Sequence, residues 1–177
     1  MVDVREQVEE DRGLLKKIQL VIPGFAGYRR REDIRAADSI LRLQMADGLG
    51  RVREGLEEAR SAMMEEYLTK SLDKVGGLIN KVRTLEGKVR HAEQGYSGFS
   101  PAIRIEEGEL NRLYEYDASM IGAIQSLDGT QSRLLNAIHA GDEEGTGRTL
   151  GDMKKELSDF EKAFDDRIPV IAGIYNL

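Results

Sequence analysis

The fold is decided by residues 31–63, which read REDIRAADSILRLQMADGLGRVREGLEEARSAM. Apolar residues recur there at intervals of three and four, the spacing that places side chains on one face of an α-helix. These residues are Ile34, Leu41, Met45, Leu49, Val52, Leu56, Ala59 and Met63. No part of the stretch shows the alternation of apolar and polar residues that is typical of a half-buried β-strand. The sequence therefore predicts a long amphipathic helix that buries one stripe.

The same spacing continues beyond Met63, although its phase shifts slightly. The apolar residues of this second stretch are Leu68, Leu72, Val75, Ile79, Val82, Val89 and Tyr96. Candidate breaks are the glycines at 48, 50, 76 and 77 and the phase shift over residues 64–67. An internal glycine costs a helix only about 1 kcal/mol relative to alanine, so none of them forces a break. We favour one very long helix over residues 31–94, and two helices with a subtle joint are the alternative.

Further helices are expected on both sides of this region, because the three prolines stand where helices should begin or end. The predicted ranges are residues 2–20, 101–140 and 142–168. Gly141 can supply the left-handed residue that closes one helix, and Asp142 can cap the next. Pro169 is expected to end or kink the last helix.

Short connections join antiparallel neighbours in helical bundles. The expected fold class is therefore all-α, an elongated antiparallel helical bundle or coiled-coil hairpin with one very long helix. A chain of 177 residues is long enough to bury a core and fits a single helical domain over residues 1–177.

Composition narrows the classes of function. Apolar residues make up 40% of the chain and charged residues 33%, which is typical of a folded protein. The formal net charge of −6 argues against a nucleic-acid partner. The absence of cysteine excludes disulfides, thiolate zinc sites and cysteine nucleophiles, and it suits a reducing compartment. No apolar run approaches the roughly 18 residues of a membrane span. We expect a cytoplasmic protein.

Two carboxylates stand on the apolar stripes. Asp38 lies four residues after Ile34 and three before Leu41, and Asp117 lies between Leu113 and Met120. A buried carboxylate is costly unless it is paired, and arginine is its usual partner. We therefore predict that Asp117 is buried and bonded to an arginine or to a tyrosine hydroxyl.

The proposed partners of these carboxylates form a structural polar network. Its predicted members are Glu32, Arg35, Asp38, Arg42, Tyr114 and Asp117, and Arg35 and Arg42 are the candidate arginines for Asp117. Spacings of three and four along residues 29–42 also permit ordinary ion pairs on a solvated helix face. A solvated charged stripe is therefore the alternative interpretation.

Two motifs resemble signatures of a family of prokaryotic helical proteins with no assigned activity. One is a PG-aromatic-x-GY turn followed by E-x2-R-x2-D-x2-LR, and the other is a GYxGF loop followed by L-x2-LYxxD. The matching residues are Pro23, Gly24, Gly27, Tyr28, Glu32, Arg35, Asp38, Leu41, Arg42, Tyr96, Gly98, Phe99, Leu110, Tyr114 and Asp117. The resemblance spans roughly residues 20–120. It implies a helical fold and no particular function.

No arrangement of residues indicates catalysis, a metal or a cofactor. His91 and His139 belong to no Glu-x-x-His pair or HExxH motif. The stretch GTGRTLG, residues 145–151, follows no predicted strand and is more simply a weak helix start. We therefore expect a non-enzymatic helical interaction or assembly protein, an adaptor or scaffold subunit. The alternatives are a membrane-surface-associated helical protein, which the acidic first helix disfavours, and a metal- or small-ligand-binding bundle.

A protein partner or self-association is the expected mode of action, and the C-terminal tail is its candidate surface. The apolar residues assigned to partner binding are Ile171, Ile174, Tyr175 and Leu177. A tail with so many large apolar side chains is expected to be held against a surface, either the chain's own bundle or another subunit.

Overall fold

The computed structural model describes residues 13, 16–22, 31–92 and 107–176, and side chains within residues 13, 16–22, 38–92 and 111–169. The described part is all-α, as the sequence predicts, and contains no strand. Its helices are α1 (residues 16–21), α2 (Arg31–Glu65), α3 (Leu72–Arg90), α4 (Glu107–His139) and α5 (Glu143–Asn176). A short 3-10 turn, Thr69–Ser71, precedes α3.

The single very long helix favoured over residues 31–94 is wrong. The chain turns after Glu65, and α3 packs back along α2. The break falls at the phase shift over residues 64–67, one of the sites where the sequence allowed it. The shift supplies the reason, because a continuous helix would carry the two apolar stretches onto different faces. Folding back lets both stripes face one core.

The end of α2 is a Schellman motif, a helix terminus in which two amides bond backwards to free carbonyls. The N–H of Leu68 donates to the carbonyl of Met63 at 2.8 Å, and the N–H of Tyr67 donates to the carbonyl of Met64 at 3.4 Å. Leu68 and Met63 are both buried, which is the apolar contact that usually accompanies this motif. Tyr67 occupies the left-handed position, with φ +58°.

The end of α4 repeats the motif with glycine in the left-handed position. Gly141 has φ +66°, its N–H donates to the carbonyl of Ile138 at 2.9 Å, and the N–H of Asp142 donates to the carbonyl of Ala137 at 2.9 Å. A carboxylate oxygen of Asp142 then accepts the N–H of Gly145 at 2.8 Å. The roles predicted for Gly141 and Asp142 are both confirmed.

One predicted helix boundary turns out differently, and another lies outside the described residues. Helix α5 does not end at Pro169 but runs through it to Asn176. Proline leaves the carbonyl four residues earlier without its N–H partner, and that carbonyl belongs to Asp165, an exposed residue that water can reach. The start predicted near residue 101 for the preceding helix lies outside the described residues, and α4 is described from Glu107.

The four long helices run alternately up and down around one core. Helix α2 packs against α3 and α4, and α5 packs against the same two helices, so each antiparallel hairpin lies beside the other. Helices α2 and α4 are parallel neighbours and approach closely at Gly55. The amide of Gln131 in α4 occupies the position that a side chain on Gly55 would take. Buried side chains from all four fill the core, among them Leu56, Val82, Leu127 and Phe160.

The bundle has two ends that differ in chemistry. At the first, which we call the network end, α2 and α4 begin and α3 and α5 finish. At the second, the turn end, α2 and α4 finish in the two Schellman motifs. Helix α1 buries Ile18, and Ile22 just after it lines a cleft with Met45 and Ile124 of α2 and α4. Within the described part of the chain, no helix is both long enough and apolar enough to cross a membrane.

Candidate functional site

Four charged side chains are buried at the network end of the bundle. Asp38 and Arg42 come from α2, Asp117 from α4 and Arg167 from α5, and they are 3%, 2%, 0% and 1% exposed. Each stands on the apolar stripe of its helix. Arg167, for example, lies three residues after the buried Phe164. Helical spacing therefore carries these charges into the core together with the apolar residues beside them.

The four charges pair with one another across the bundle. Arg167 donates through Nε to Asp117 Oδ1 at 2.6 Å and through Nη1 to Asp38 Oδ1 at 2.6 Å. Asp38 accepts a further bond at its other oxygen, from Arg42 Nε at 2.8 Å. Two carboxylates thus face two guanidinium groups, and each of these charges has an opposite charge at hydrogen-bond distance.

Arg42 also ties the network to α3. Its Nη1 lies 3.5 Å from the carbonyl oxygen of Val89 and 3.3 Å from that of Arg90. These are among the last carbonyls of α3, which have no N–H partner within the helix and carry the negative end of its dipole. The network therefore links all four long helices at one level. An arrangement of this kind can fix the register of the helices.

Both properties predicted for Asp117, burial and a bond to an arginine, are present. Among the described side chains the arginine that bonds Asp117 is Arg167, which the sequence analysis did not name. Arg42 bonds Asp38 and the end of α3, and Tyr114 is buried in α4. Glu32 and Arg35 belong to the first turns of α2, and their side chains lie outside the described part.

Arg167 could have been found from the sequence. The buried apolar residues of α5 include Leu157, Phe160 and Phe164, and the same spacing of three and four leads next to Arg167. A charge on the stripe was the signal that identified Asp38 and Asp117. Arg167 is missed when only apolar residues are counted along the stripe.

The turn end carries an exposed apolar surface formed by Met64 and Tyr67, which we call the turn surface. Tyr67 is 87% exposed and Met64 is 61% exposed. The backbone beneath them is fixed by the two bonds of the Schellman motif and by the N–H of Thr69, which donates to the carbonyl of Tyr67 at 3.1 Å. An exposed aromatic side chain is thus presented on an ordered turn.

An ion pair connects this turn to the start of α5. Lys70 Nζ lies 2.8 Å from Glu143 Oε2, and the N–H of Lys70 donates to Glu143 Oε1 at 3.2 Å. The hydrogen bond from the ammonium lowers the pKa of Glu143 below its ordinary value, and the same bond raises the pKa of Lys70. The two hairpins are therefore joined at the turn end by Lys70 and Glu143.

The histidines and the C-terminal tail complete the predicted set. His91 follows the end of α3 and His139 is the last residue of α4, so they lie at opposite ends of the bundle. Among the residues that the structure describes, no group of three or more His, Cys, Asp or Glu side chains could hold a metal ion. Ile171, Ile174 and Tyr175 belong to the last turns of α5, but their side chains, like the whole of Leu177, lie outside the described part.

Comparisons of the chain with models of known protein families, with curated proteins and with solved structures found no match. Its function therefore has to be inferred from its own residues.

Proposed function

We propose that this protein is a non-enzymatic helical interaction or assembly protein, an adaptor or scaffold subunit that presents the turn surface to another protein. The observation that carries the proposal is Tyr67. It is a large side chain, almost fully exposed, on a residue whose backbone is left-handed.

Within the described part of the chain, the side chain of Tyr67 makes no hydrogen bond and is almost fully exposed. A left-handed conformation costs a residue with a side chain roughly 1–2 kcal/mol, and glycine avoids this cost. Gly141 performs the same turn at the end of the neighbouring helix α4. Residues held in costly backbone conformations are concentrated at functional positions, and a contact outside the chain would explain this one.

The chemistry of the turn surface suits a protein contact. Tyrosine is enriched among the residues that dominate binding energy, because its ring offers a large apolar area and its hydroxyl a hydrogen bond. Met64 beside it is flexible and adapts to the shape of a partner. The ordered turn also reduces the conformational entropy that binding would otherwise have to remove.

The polar network supports the same role from the opposite end of the bundle. A scaffold must hold its surfaces in a fixed relation to each other. Charges buried at one level of the bundle favour a single register, because a slipped helix would separate Arg167 from Asp38 or from Asp117.

Photo-crosslinking in the native cell tests the proposal. A benzoyl-phenylalanine is introduced at position 67 and, as the matched control, at Glu58, an exposed residue of the helix α2 that precedes the turn. We expect a discrete covalent adduct from position 67 and none of the same mass from position 58. An adduct of twice the mass of the chain would identify self-association, and a larger or smaller one a separate partner. If the two positions give the same products, the turn surface is not a contact site.

A further inference from the structure

A groove between the parallel helices α3 and α5 is a second surface with distinct chemistry. Its walls include Gly77 of α3 and Gly147 and Gly151 of α5, and its volume is about 440 Å³. That volume lies within the roughly 300–1,000 Å³ typical of binding clefts. The side chains of Leu78 and Leu150 form part of its base and are buried.

The packing of the chain does not require glycine in these walls. A Cβ atom added at Gly77 or Gly151 would meet no neighbouring side chain or helix within 4 Å. A glycine inside a helix is less stable than alanine, by about 1 kcal/mol. The glycines keep open a space that the chain itself leaves unfilled. Small residues alone do not define a site, and the charge around the groove identifies what it could hold.

Three lysines surround the groove, Lys74, Lys81 and Lys154, against one carboxylate, Asp73. This excess of positive charge stands out on a protein whose formal net charge is −6. Lys81 pairs with Glu161 at 3.2 Å. The ammonium groups of Lys74 and Lys154 make no ion pair or hydrogen bond with the described residues. Two cations therefore remain available to an acidic ligand.

The spacing of the lysines matches one face of a helix. Contacts from Lys81 to Ser158 and from Lys88 to Asp165 both join residues that are 77 apart, so Lys154 lies level with Gly77. The three ammonium groups thus originate at the levels of residues 74, 77 and 81 of α3. Steps of three and four residues are the spacing of successive side chains along one side of an α-helix.

We propose that this groove binds an acidic amphipathic helix of a partner protein. Carboxylates at positions i, i+3 and i+7 of that helix, or i, i+4 and i+7 when it runs in the opposite direction, would face Lys74, Lys154 and Lys81. An apolar side chain between them would enter the space over Gly77 and Gly151, in the manner of other helix-in-groove complexes. The proposal shares with the proposed function only the idea of a protein partner, since the groove does not include Tyr67.

The experiment uses the full chain and a defined probe. The probe is a synthetic helical peptide with glutamates at i, i+3 and i+7 and a leucine between them, and its control is the same peptide with lysines in place of the glutamates. Binding is measured by isothermal titration calorimetry at low and at physiological salt. We expect the glutamate peptide to bind, more weakly as salt screens the charges, and the lysine peptide not to bind.

Two variants locate the binding. Gly77→Leu fills the groove, and Gly129→Leu on α4 is the matched control, since a Cβ atom added at either glycine would meet no neighbouring atom within 4 Å. We expect Gly77→Leu to abolish binding and Gly129→Leu to leave it unchanged. Lys154→Glu should weaken binding roughly three- to tenfold, the range expected when an exposed attraction becomes a repulsion.

The proposal is overturned if Gly77→Leu binds the peptide as the wild type does, or if both peptides bind equally. Inorganic tripolyphosphate that binds as tightly as the glutamate peptide and displaces it would replace the helix with a small anion as occupant. A wild-type oligomer that Gly77→Leu converts to a monomer would make the occupant a second copy of this chain. Tyr67→Gly should not alter peptide binding, so failure of the turn surface and failure of the groove can be distinguished.

Discussion

At the scale of single residues, Tyr67 and Gly141 form an internal comparison, because they occupy the same position of the same motif. We predict that Tyr67→Gly raises the free energy of unfolding by about 1 kcal/mol, since it removes a side chain from a left-handed residue. Urea denaturation measures the change. Gly141→Ala is the reciprocal variant and should lower stability by a similar amount. A loss of stability in Tyr67→Gly would show that the ring supports the fold and is not reserved for a partner.

A second prediction at this scale concerns Asp117, which is fully buried and bonded to Arg167. Asp117→Asn removes one of the two carboxylates that bond the buried guanidinium of Arg167, and the loss of one member of such a buried pair typically costs about 3–5 kcal/mol. Thermal and urea unfolding measure it. Glu144→Gln is the control, because its exposed pair with Arg148 should be worth at most about 1 kcal/mol. If both variants unfold alike, the network contributes nothing to stability.

Asp117 and Tyr67 were not equally predictable from the sequence. Asp38 and Asp117 could be recognised because a charge on an apolar stripe is visible in the spacing alone. The pairing of Asp117 with Arg167 could not be derived, because it joins residues 50 apart in the chain and depends on how the helices pack. The left-handed conformation of Tyr67 could not be predicted from the sequence. Glycine is the residue expected at a left-handed helix end, and nothing in the spacing sets Tyr67 apart from other residues.

At the scale of elements, the turn before α3 is held to the start of α5 by Lys70 and Glu143. The bond lowers the pKa of Glu143, so its contribution is present above the ordinary pKa of glutamate and is lost as the pH falls through the lowered value. It raises the pKa of Lys70, so that contribution is lost only as the pH rises through the raised value. Between these limits both groups are charged and the contact is complete.

We therefore predict that Lys70→Gln raises the pKa of Glu143 towards its ordinary value, because it removes the ammonium that bonds the carboxylate. A nuclear magnetic resonance titration of the glutamate side chains measures the shift. Lys154→Gln serves as the control, since Lys154 is also exposed and does not contact Glu143. An unchanged pKa in Lys70→Gln would mean that the carboxylate responds to the start of α5 and not to Lys70.

The spacing of apolar residues predicted that the elements are helices, but it did not predict where one helix ends and the next begins. Helical periods identified the regions of α2, α3, α4 and α5, and Gly141 with Asp142 marked one junction correctly. The junction at residues 64–67 was visible as a phase shift in the apolar spacing. It holds neither glycine nor proline, so the local sequence did not exclude a continuous helix. Its turn is stabilised by burial of Leu68 against the core, a tertiary contact that no local pattern states.

At the scale of the whole molecule, two hairpins lie side by side with a buried ionic network at one end and the turn surface at the other. The all-α class followed from composition and period. Which helices pack against each other could not be predicted in this way, because any amphipathic face can be buried against any other. Buried charges restrict that choice, and here Asp38, Asp117 and Arg167 connect α2 and α4 to α5.

The last prediction concerns the C-terminal tail, where α5 continues beyond the end of α3. Helix α3 ends at Arg90, and the 77-residue relation between α3 and α5 places Arg90 level with Arg167. Helix α5 nevertheless extends to Asn176, about 13 Å further at 1.5 Å per residue. This last part holds three of the apolar residues assigned by sequence to partner binding, Ile171, Ile174 and Tyr175. Helix α4 begins at Glu107 and still runs beside it, so the face that α3 no longer covers is the candidate contact with another subunit or protein.

Deletion of residues 169–177 tests this assignment. We expect the truncated protein to lose self-association or partner binding through the tail, measured by light scattering. Its helical circular dichroism should fall only by the turns removed, and its melting temperature should change by a few degrees at most. The opposite result, a much lower melting temperature with unchanged mass and binding, would place the tail on the chain's own bundle. Its apolar side chains, each worth about 1.5–3 kcal/mol when fully buried, would then belong to the core.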